Sequence, residues 1–273
     1  MLLADLDGTV LSSDGAVSPQ TADALRRLKA AGWRVIIATG RGWRTTAPAV
    51  EAIGIGEPVI CATGALVKEA DGTTTACVPI PLPTLGRLAE TIHEAGQTFF
   101  VHLDEPDGRP DALMVRGPAV SPESELFLSR AAWSTEMPAG QTLEALHERC
   151  IEVSIWASAE ELARCGRAVT QALGADVRTV TIFAPNVALT VFEIFARGVS
   201  KWATAERLAR QWGIATRDIV AVGDDVNDLE MIRGAGLGVA MGNSVPSVLR
   251  AADRVTGSND GRGLADLADE LLA

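Results

Sequence analysis

Residues 2–13 read "LLADLDGTVLSS", an apolar strand that ends in two carboxylates, Asp5 and Asp7, followed at once by Gly8 and Thr9. Leu2, Leu3, Ala4 and Leu6 belong in a core. Two unit charges about 4 Å apart repel by roughly 4 kcal/mol at an effective dielectric near 20. A core strand that ends this way needs an offsetting cation or a use for the pair.

The rest of the chain narrows that use. Its 273 residues are 47% hydrophobic and 22% charged, which describes a globular chain with room for two domains. A net charge of −11 argues against nucleic-acid binding, which depends on Lys and Arg neutralising phosphates. It leaves room for a small anionic substrate, because one local cation can reverse the sign of a site. No apolar run approaches the ~20 residues that span a bilayer, and no secretory signal is visible. The expectation is a soluble, cytoplasmic protein, neither in a membrane nor on one; the sequence leaves its oligomeric state unknown. Cys61, Cys77, Cys150 and Cys165 show no CxxC pairing, so reduced, buried thiols are expected rather than zinc ligands.

Strand-like and helix-like segments alternate at the start. "SPQTADALRRLKAAG" has Ser18 as N-cap, Pro19 at the first helical position and Gly32 just past the end. "WRVIIAT" and "PVICAT" show little alternation, as strands buried on both faces of a parallel sheet do. The pattern changes at "PIPLP", which reads as a linker. A helix over about 83–95 follows, then "TFFVHLD", "DALMVRG", "CIEVSIWA", the helical "SAEELARCGRAVTQALG", "VRTVTIFA" and "VALTVFEIF". That middle part reads as α+β with mostly antiparallel strands. The first pattern returns with "SKWATAERLARQWG", where Ser200 is a possible N-cap, and with "DIVAVGD", "LGVAMG" and "DRVTG". The predicted fold is α/β: a parallel-sheet core made of residues 1–79 and 197–273, with an inserted α+β domain over 80–196.

In an open parallel sheet, ligands bind outside the carboxyl ends of the strands. Those ends deliver Asp5 and Asp7; Thr39, Gly40 and Arg41; and Gly223, Asp224, Asp225, Asn227 and Asp228. Lys201 lies at the start of the helix that leads to the last of them. Each segment has a plainer reading. "DLDGT" could be a strand with an Asp-Gly turn, "ATGR" a loop with a Thr bonded to its own backbone, and Lys201 a solvated helix residue. "GDDVND" is harder to dismiss, since a helix N-terminus tolerates about one such charge as a cap. Clustered carboxylate oxygens suit Mg²⁺.

"DLDGT", "ATGR", the Lys of "RGVSKWATAERL" and "GDDVND" occur in the order of the four motifs of the haloacid dehalogenase superfamily, which the chain therefore resembles. "EIFARGVSK" and the tail "AMGNSVPSVLRAADRVTGSNDGRGLADL" resemble its Cof-like sugar-phosphatase subgroup, in which a cap domain is inserted between the second and third motifs. The resemblance implies a Rossmann-like core and a Mg²⁺-dependent phosphatase acting on a small phosphorylated metabolite, with a sugar phosphate as the expected substrate. It implies Asp5 as nucleophile, forming an aspartyl-phosphate, and Asp7 as the acid and then the base. Thr39 and Lys201 would engage the transferring phosphoryl group. Asp5, Asp224 and the main-chain carbonyl of Asp7 would hold Mg²⁺. Gly40, Arg41 and Asn227 would line the substrate site, and Asp228 would orient Lys201 or support the metal. The cap would select the substrate and close over it. The sequence departs from the subgroup at Thr63, where an Asn is usual, and at Trp202, where a Gly is common; both are expected near the site entrance.

Rival readings are a phosphomutase with the same aspartyl-phosphate chemistry and a non-catalytic metabolite-binding regulator, although no catalytic side chain is missing. A glycosidase built on Asp5 and Asp7 would not need Lys201 or the acidic cluster. A dinucleotide-binding module lacks GxGxxG spacing after the first strand.

Overall fold

The computed structural model describes residues 1–105, 111–117, 125, 129, 134–184 and 189–273. In chain order the first elements are β1 (Leu2–Asp5), α1 (Pro19–Ala30), β2 (Val35–Ala38), α2 (Trp43–Ile53), β3 (Val59–Cys61), β4 (Leu66–Lys68) and β5 (Thr74–Cys77). The middle holds α3 (Leu82–Glu94), β6 (Phe99–Leu103), β7 (Ala112–Val115), β8 (Thr135–Glu136), α4 (Leu143–Leu146), β9 (Cys150–Ala157), α5 (Ala159–Leu173), β10 (Val177–Ala184) and β11 (Leu189–Ala196). The chain ends with α6 (Lys201–Gln211), β12 (Val220–Gly223), α7 (Leu229–Gly234), β13 (Leu237–Ala240), α8 (Pro246–Ala251), β14 (Arg254–Val255) and α9 (Gly263–Leu272). Val187 and Ala188 of the expected strand "VALTVFEIF" lie outside the described residues.

The chain divides into two compact units, residues 1–76 with 200–273, and residues 77–199. The second unit thus extends three residues beyond the expected 80–196 at each end. Both ends are bonded into the second unit. Ile80, inside the expected linker "PIPLP", is buried and donates its N–H to the Cys150 carbonyl at 2.8 Å. At the other end Val199 N–H closes a turn onto the Ala196 carbonyl at 3.2 Å, with Gly198 at φ 77°.

The first unit is built on a sheet of order β14-β13-β12-β1-β2-β3-β4-β5 among the described residues. From β14 to β3 every pairing is parallel, and β4 turns back antiparallel to β3. β1 is central, with Leu2 opposite Val35 on one side and Val220 on the other. Its residues and those of β2 and β12 are all buried, which is why these segments read as unbroken apolar runs. Leu3, Ile36, Ala38, Ile60, Ala205, Leu208, Ile219, Ala221 and Met231 form one continuous core cluster. The predicted caps are present: Ser18 Oγ accepts from Thr21 N–H, and Ser200 Oγ accepts from Ala203 N–H.

The second unit carries a sheet of order β10-β11-β9-β6-β7-β8, antiparallel except between β7 and β8. α3 packs on α5, and α5 packs on β9 and β11. Ser158 and Glu161 form a capping box at the start of α5. Cys61, Cys150 and Cys165 are buried and Cys77 is half-buried; burial pushes the Cys150 thiol up to about 12 and that of Cys165 up to about 11, as suits structural thiols.

One glycine fixes how α6 docks. Gly64 has φ 111°, outside the range of ordinary residues, and a Cβ there would lie 2.3 Å from the Ser200 carbonyl oxygen. Its own carbonyl accepts the Thr204 hydroxyl at 2.7 Å, so the turn after β3 is clamped to the first turn of α6. Gly64→Ala should therefore destabilise the protein by about 2 kcal/mol or more, combining backbone strain with displacement of α6. Urea denaturation measures this, and an unchanged midpoint would refute the clamp.

Candidate active site

The registers bring three strand ends together. Asp5 pairs with Ala38 at the last position of β1 and β2, and Gly223 pairs with Ala240 at the end of β12. Asp5 therefore emerges beside Thr39 on one side and the Gly223–Asp228 turn on the other. Lys201, the first residue of α6, reaches into the gap. Its ammonium donates to Asp5 Oδ1 at 2.5 Å and to Asp228 Oδ1 at 2.7 Å. All three side chains are buried, at 4% exposure for Asp5, 1% for Lys201 and 0% for Asp228.

Asp228 is held from behind. Its Oδ2 accepts the main-chain N–H groups of Asp224 at 3.0 Å and Asp225 at 3.2 Å. Only a glycine at 223 leaves room for it, since a Cβ there would lie 2.5 Å from the Asp228 carboxyl carbon. One carboxylate oxygen from each of Asp5, Asp224 and Asp228 lies within 4.8 Å of the other two. Three carboxylates against one ammonium leave an excess of two negative charges. Burial first, then the Asp228 charge and to a lesser degree the Asp224 charge, push the Asp5 carboxyl well above the usual range, beyond what Lys201 offsets. Burial, Asp228 and Asp225 push Asp224 up to about 7, against the Lys201 charge and the Thr9 hydroxyl. Burial alone would lower Lys201, but Asp228 and Asp5 outweigh it and hold the ammonium above its ordinary value. Hard oxygen donors with two surplus negative charges match the chemistry of Mg²⁺, so Asp5 and Asp224 fit as its protein ligands, with Asp228 behind them.

The turn after β1 is shaped for this approach. Gly8 has φ 71°, and a Cβ on it would lie 2.2 Å from Asp224 Oδ2. Asn243 donates its side-chain amide to the Gly8 carbonyl at 2.8 Å, and Asn259 donates to the Leu11 carbonyl at 2.9 Å. The main chain of Asn259 in turn donates to Asn243 Oδ1 at 3.0 Å. These two asparagines lie in the tail "AMGNSVPSVLRAADRVTGSNDGRGLADL", and reading the sequence assigned them no role. Their signal was the cluster of Asn, Ser and Gly just after a strand's carboxyl end.

Thr39 is fully buried and its Oγ1 accepts the Arg41 N–H at 3.0 Å, which leaves its own hydroxyl hydrogen to donate. Gly40 lies beside Thr63 and Asn227: a Cβ on it would sit 3.5 Å from Thr63 Oγ1 and 3.8 Å from Asn227 Nδ2. Asp7 points elsewhere. Its carboxylate is 55% exposed and is gripped by Arg41, whose Nε donates to Oδ2 at 2.8 Å and whose Nη2 contacts Oδ1. The carboxylate cluster thus unites Asp5, Asp224 and Asp228 but not the Asp7 side chain. Thr63 is buried next to Gly40, in a left-handed conformation at φ 54° that is rare for a β-branched residue. Trp202 departs from its expected place at the site entrance. Its indole packs on Gly234, whose absent Cβ would lie 2.3 Å away, and against the core cluster, because a large apolar ring on the inner face of α6 is drawn into the core.

The chain belongs to the haloacid dehalogenase-like hydrolases, whose family pattern matches residues 2–267. It is 28% identical over its whole length to the 5-amino-6-(5-phospho-D-ribitylamino)uracil phosphatase YitU of Bacillus subtilis, covering 97% of that protein. It is 27% identical to the pyridoxal phosphate phosphatase YbhA of Escherichia coli, with 93% of this chain and 92% of that one covered. A solved phosphatase of the haloalkanoate superfamily from Bacteroides thetaiotaomicron superposes with a TM-score of 0.82 at 25% identity, covering 98% of this chain and 93% of that chain.

The surplus charge has a measurable consequence. Asp224 binds its proton more tightly in the folded state, at about 7, than in the unfolded state, near 3.8, so its contribution to stability is lost as pH rises through 7. Buried His102, lowered to about 4, acts in the opposite direction over part of the same range, so the effect is read as a difference between variants. In chelator, Asp224→Asn should melt above the wild type at pH 8, and that gap should close toward pH 5. A gap independent of pH would refute the charge assignment.

Proposed function

We propose that this protein is a phosphatase that hydrolyses a small phosphorylated metabolite, a sugar phosphate, through an aspartyl-phosphate on Asp5. The observation that carries this reading is the buried Asp5, hydrogen-bonded by Lys201 through Oδ1 and set beside Asp224, at the carboxyl end of the central strand. A carboxylate that is ionised needs no base to attack phosphorus. No hydrogen bond to Asp5 Oδ2 is found among the described residues, which leaves that oxygen's lone pairs available for attack.

The steps follow from the side chains present. Thr39 donates its hydroxyl to a phosphoryl oxygen, and Lys201 offsets charge on that group and on Asp5. Asp5 Oδ2 attacks phosphorus, the bond to the leaving oxygen breaks, and Asp7 supplies a proton to that oxygen. Asp7 then takes a proton from water as the water attacks the aspartyl-phosphate; inorganic phosphate leaves and Asp5 is restored. Arg41 occupies both Asp7 oxygens, so the two must part before Asp7 can carry the proton. Mg²⁺ held by Asp5 and Asp224 supplies Lewis-acid stabilisation of phosphoryl charge when bound. Positioning and electrostatics then account for most of the rate, as is general for phosphoryl transfer. The reading as a phosphatase of a small phosphorylated metabolite is supported by two relatives at 27–28% identity, named as phosphatases of a phosphoribitylaminouracil and of pyridoxal phosphate.

Screening phosphorylated metabolites with Mg²⁺ tests the reading. Turnover should be abolished by chelation and by Asp5→Asn, with the variant's circular dichroism unchanged. Asp7→Asn should slow turnover about 10²–10⁴-fold, as loss of general acid–base catalysis does, and should let one phosphoryl group accumulate on the peptide carrying Asp5, visible by mass spectrometry after acid quenching. Substantial activity in folded Asp5→Asn would exclude it as the nucleophile.

A further inference from the structure

The carboxyl ends of the core strands hold the candidate active site, but the opposite edge of the same unit holds a cavity of about 570 Å³. Arg34 and Pro58, which precede β2 and β3, line it, together with Leu208 and Trp212 from the far end of α6. That volume lies within the range of small-molecule sites.

Its charges are unevenly satisfied. Glu57 is almost fully buried and is bonded by both Lys29 and Arg34, the latter at 2.9 Å. Arg34 also lies over the Trp212 ring, 4.3 Å from its centre. Those two cations are accounted for. Arg207 is not. It is half-buried, lines the cavity and forms no ion pair among the described residues. Glu69 lines the same cavity but forms no ion pair with it among the described residues. The lining thus carries Lys29, Arg34 and Arg207 against Glu57 and Glu69, a surplus of one positive charge in a protein of net charge −11.

We propose that this cavity is a second binding site, for a small organic anion whose carboxylate or phosphate head is taken by Arg207 and whose flat or apolar body lies against Leu208 and Trp212. The guanidinium fork matches either head group through paired hydrogen bonds. The site is separate from the catalytic one. Arg207 is six residues beyond Lys201 on α6, about 9 Å along the helix axis, at the other edge of the sheet. Because α6 carries both residues, an occupant touches the helix that positions the catalytic lysine.

The test uses the whole protein in chelator. Benzoate, phenylphosphonate and inorganic phosphate are titrated by calorimetry into wild type, Arg207→Gln and Arg207→Lys. At least one of the two aromatic probes should bind wild type with a Kd of ~1 mM or tighter. Arg207→Gln should weaken it about tenfold or more, as loss of a charged hydrogen bond does, with probe-free phosphatase activity unchanged, and Arg207→Lys should fall between. The preferred probe identifies the head group. The indole N–H resonance of Trp212, assigned through Trp212→Phe, should shift on binding, a readout that does not depend on the Arg207 variants folding. No binding to wild type, equal binding by Arg207→Gln, or binding without a Trp212 shift overturns the proposal.

Discussion

Everything at the candidate site turns on where the Lys201 ammonium is placed. It is buried between two carboxylates that come from segments 196 and 27 residues away in sequence. A buried charge is tolerated only when paired and hydrogen-bonded, and removing one partner typically costs 3–5 kcal/mol. The surrounding structure serves that pairing. The Gly64 clamp and the Ser200 cap fix the start of α6, Gly223 makes room for Asp228, and two main-chain amides hold the far oxygen of Asp228. None of these parts touches a substrate, yet each sets the position of a group that would.

The same logic explains why the acidic cluster has a useful surplus. Nature could have neutralised Asp5, Asp224 and Asp228 with further lysines or left fewer carboxylates. One ammonium against three leaves a charge that a divalent ion would complete, and such an ion would bring open coordination positions that a lysine cannot. Asp7 sits outside this balance, exposed and held by Arg41, which keeps a second carboxylate close without adding it to the buried charge.

Much of this was legible in the sequence, for a physical reason. Carboxylates at the ends of apolar strands are conspicuous because a core strand gains nothing from them. Asp5, Asp224 and the parallel sheet could be read that way, and so could the helix caps at Ser18 and Ser200, whose chemistry is local. What escaped were contacts set by three-dimensional approach. The bonds from Asn243 and Asn259 to main-chain carbonyls near residue 10 span more than 230 residues, and no periodicity announces them. The grip of Arg41 on Asp7 depends on two adjacent loops meeting. Trp202 is expected near the site entrance because it stands where the family has a smaller residue, whereas its ring packs, partly buried, on Gly234 and the core cluster. The segment "PIPLP" reads as a linker, yet Ile80 within it is bonded to Cys150 of the second unit, a contact that no local pattern announces.

The position of β1 has a consequence for how the chain is made. It pairs with β2, some 30 residues on, and with β12, which begins at Val220. During synthesis the first half-sheet therefore waits with one side of its central strand unpaired until more than 200 residues have emerged. The strand in question is short and apolar up to Asp5, and an unpaired apolar edge invites pairing with another chain. The second unit has its own sheet and helices and is synthesised in that interval. Closure of so long a loop is slow rather than thermodynamically prohibitive, because the entropic cost grows only with the logarithm of its length. Nascent chains halted before β12 should thus be the form of this protein most prone to aggregate and most dependent on chaperones.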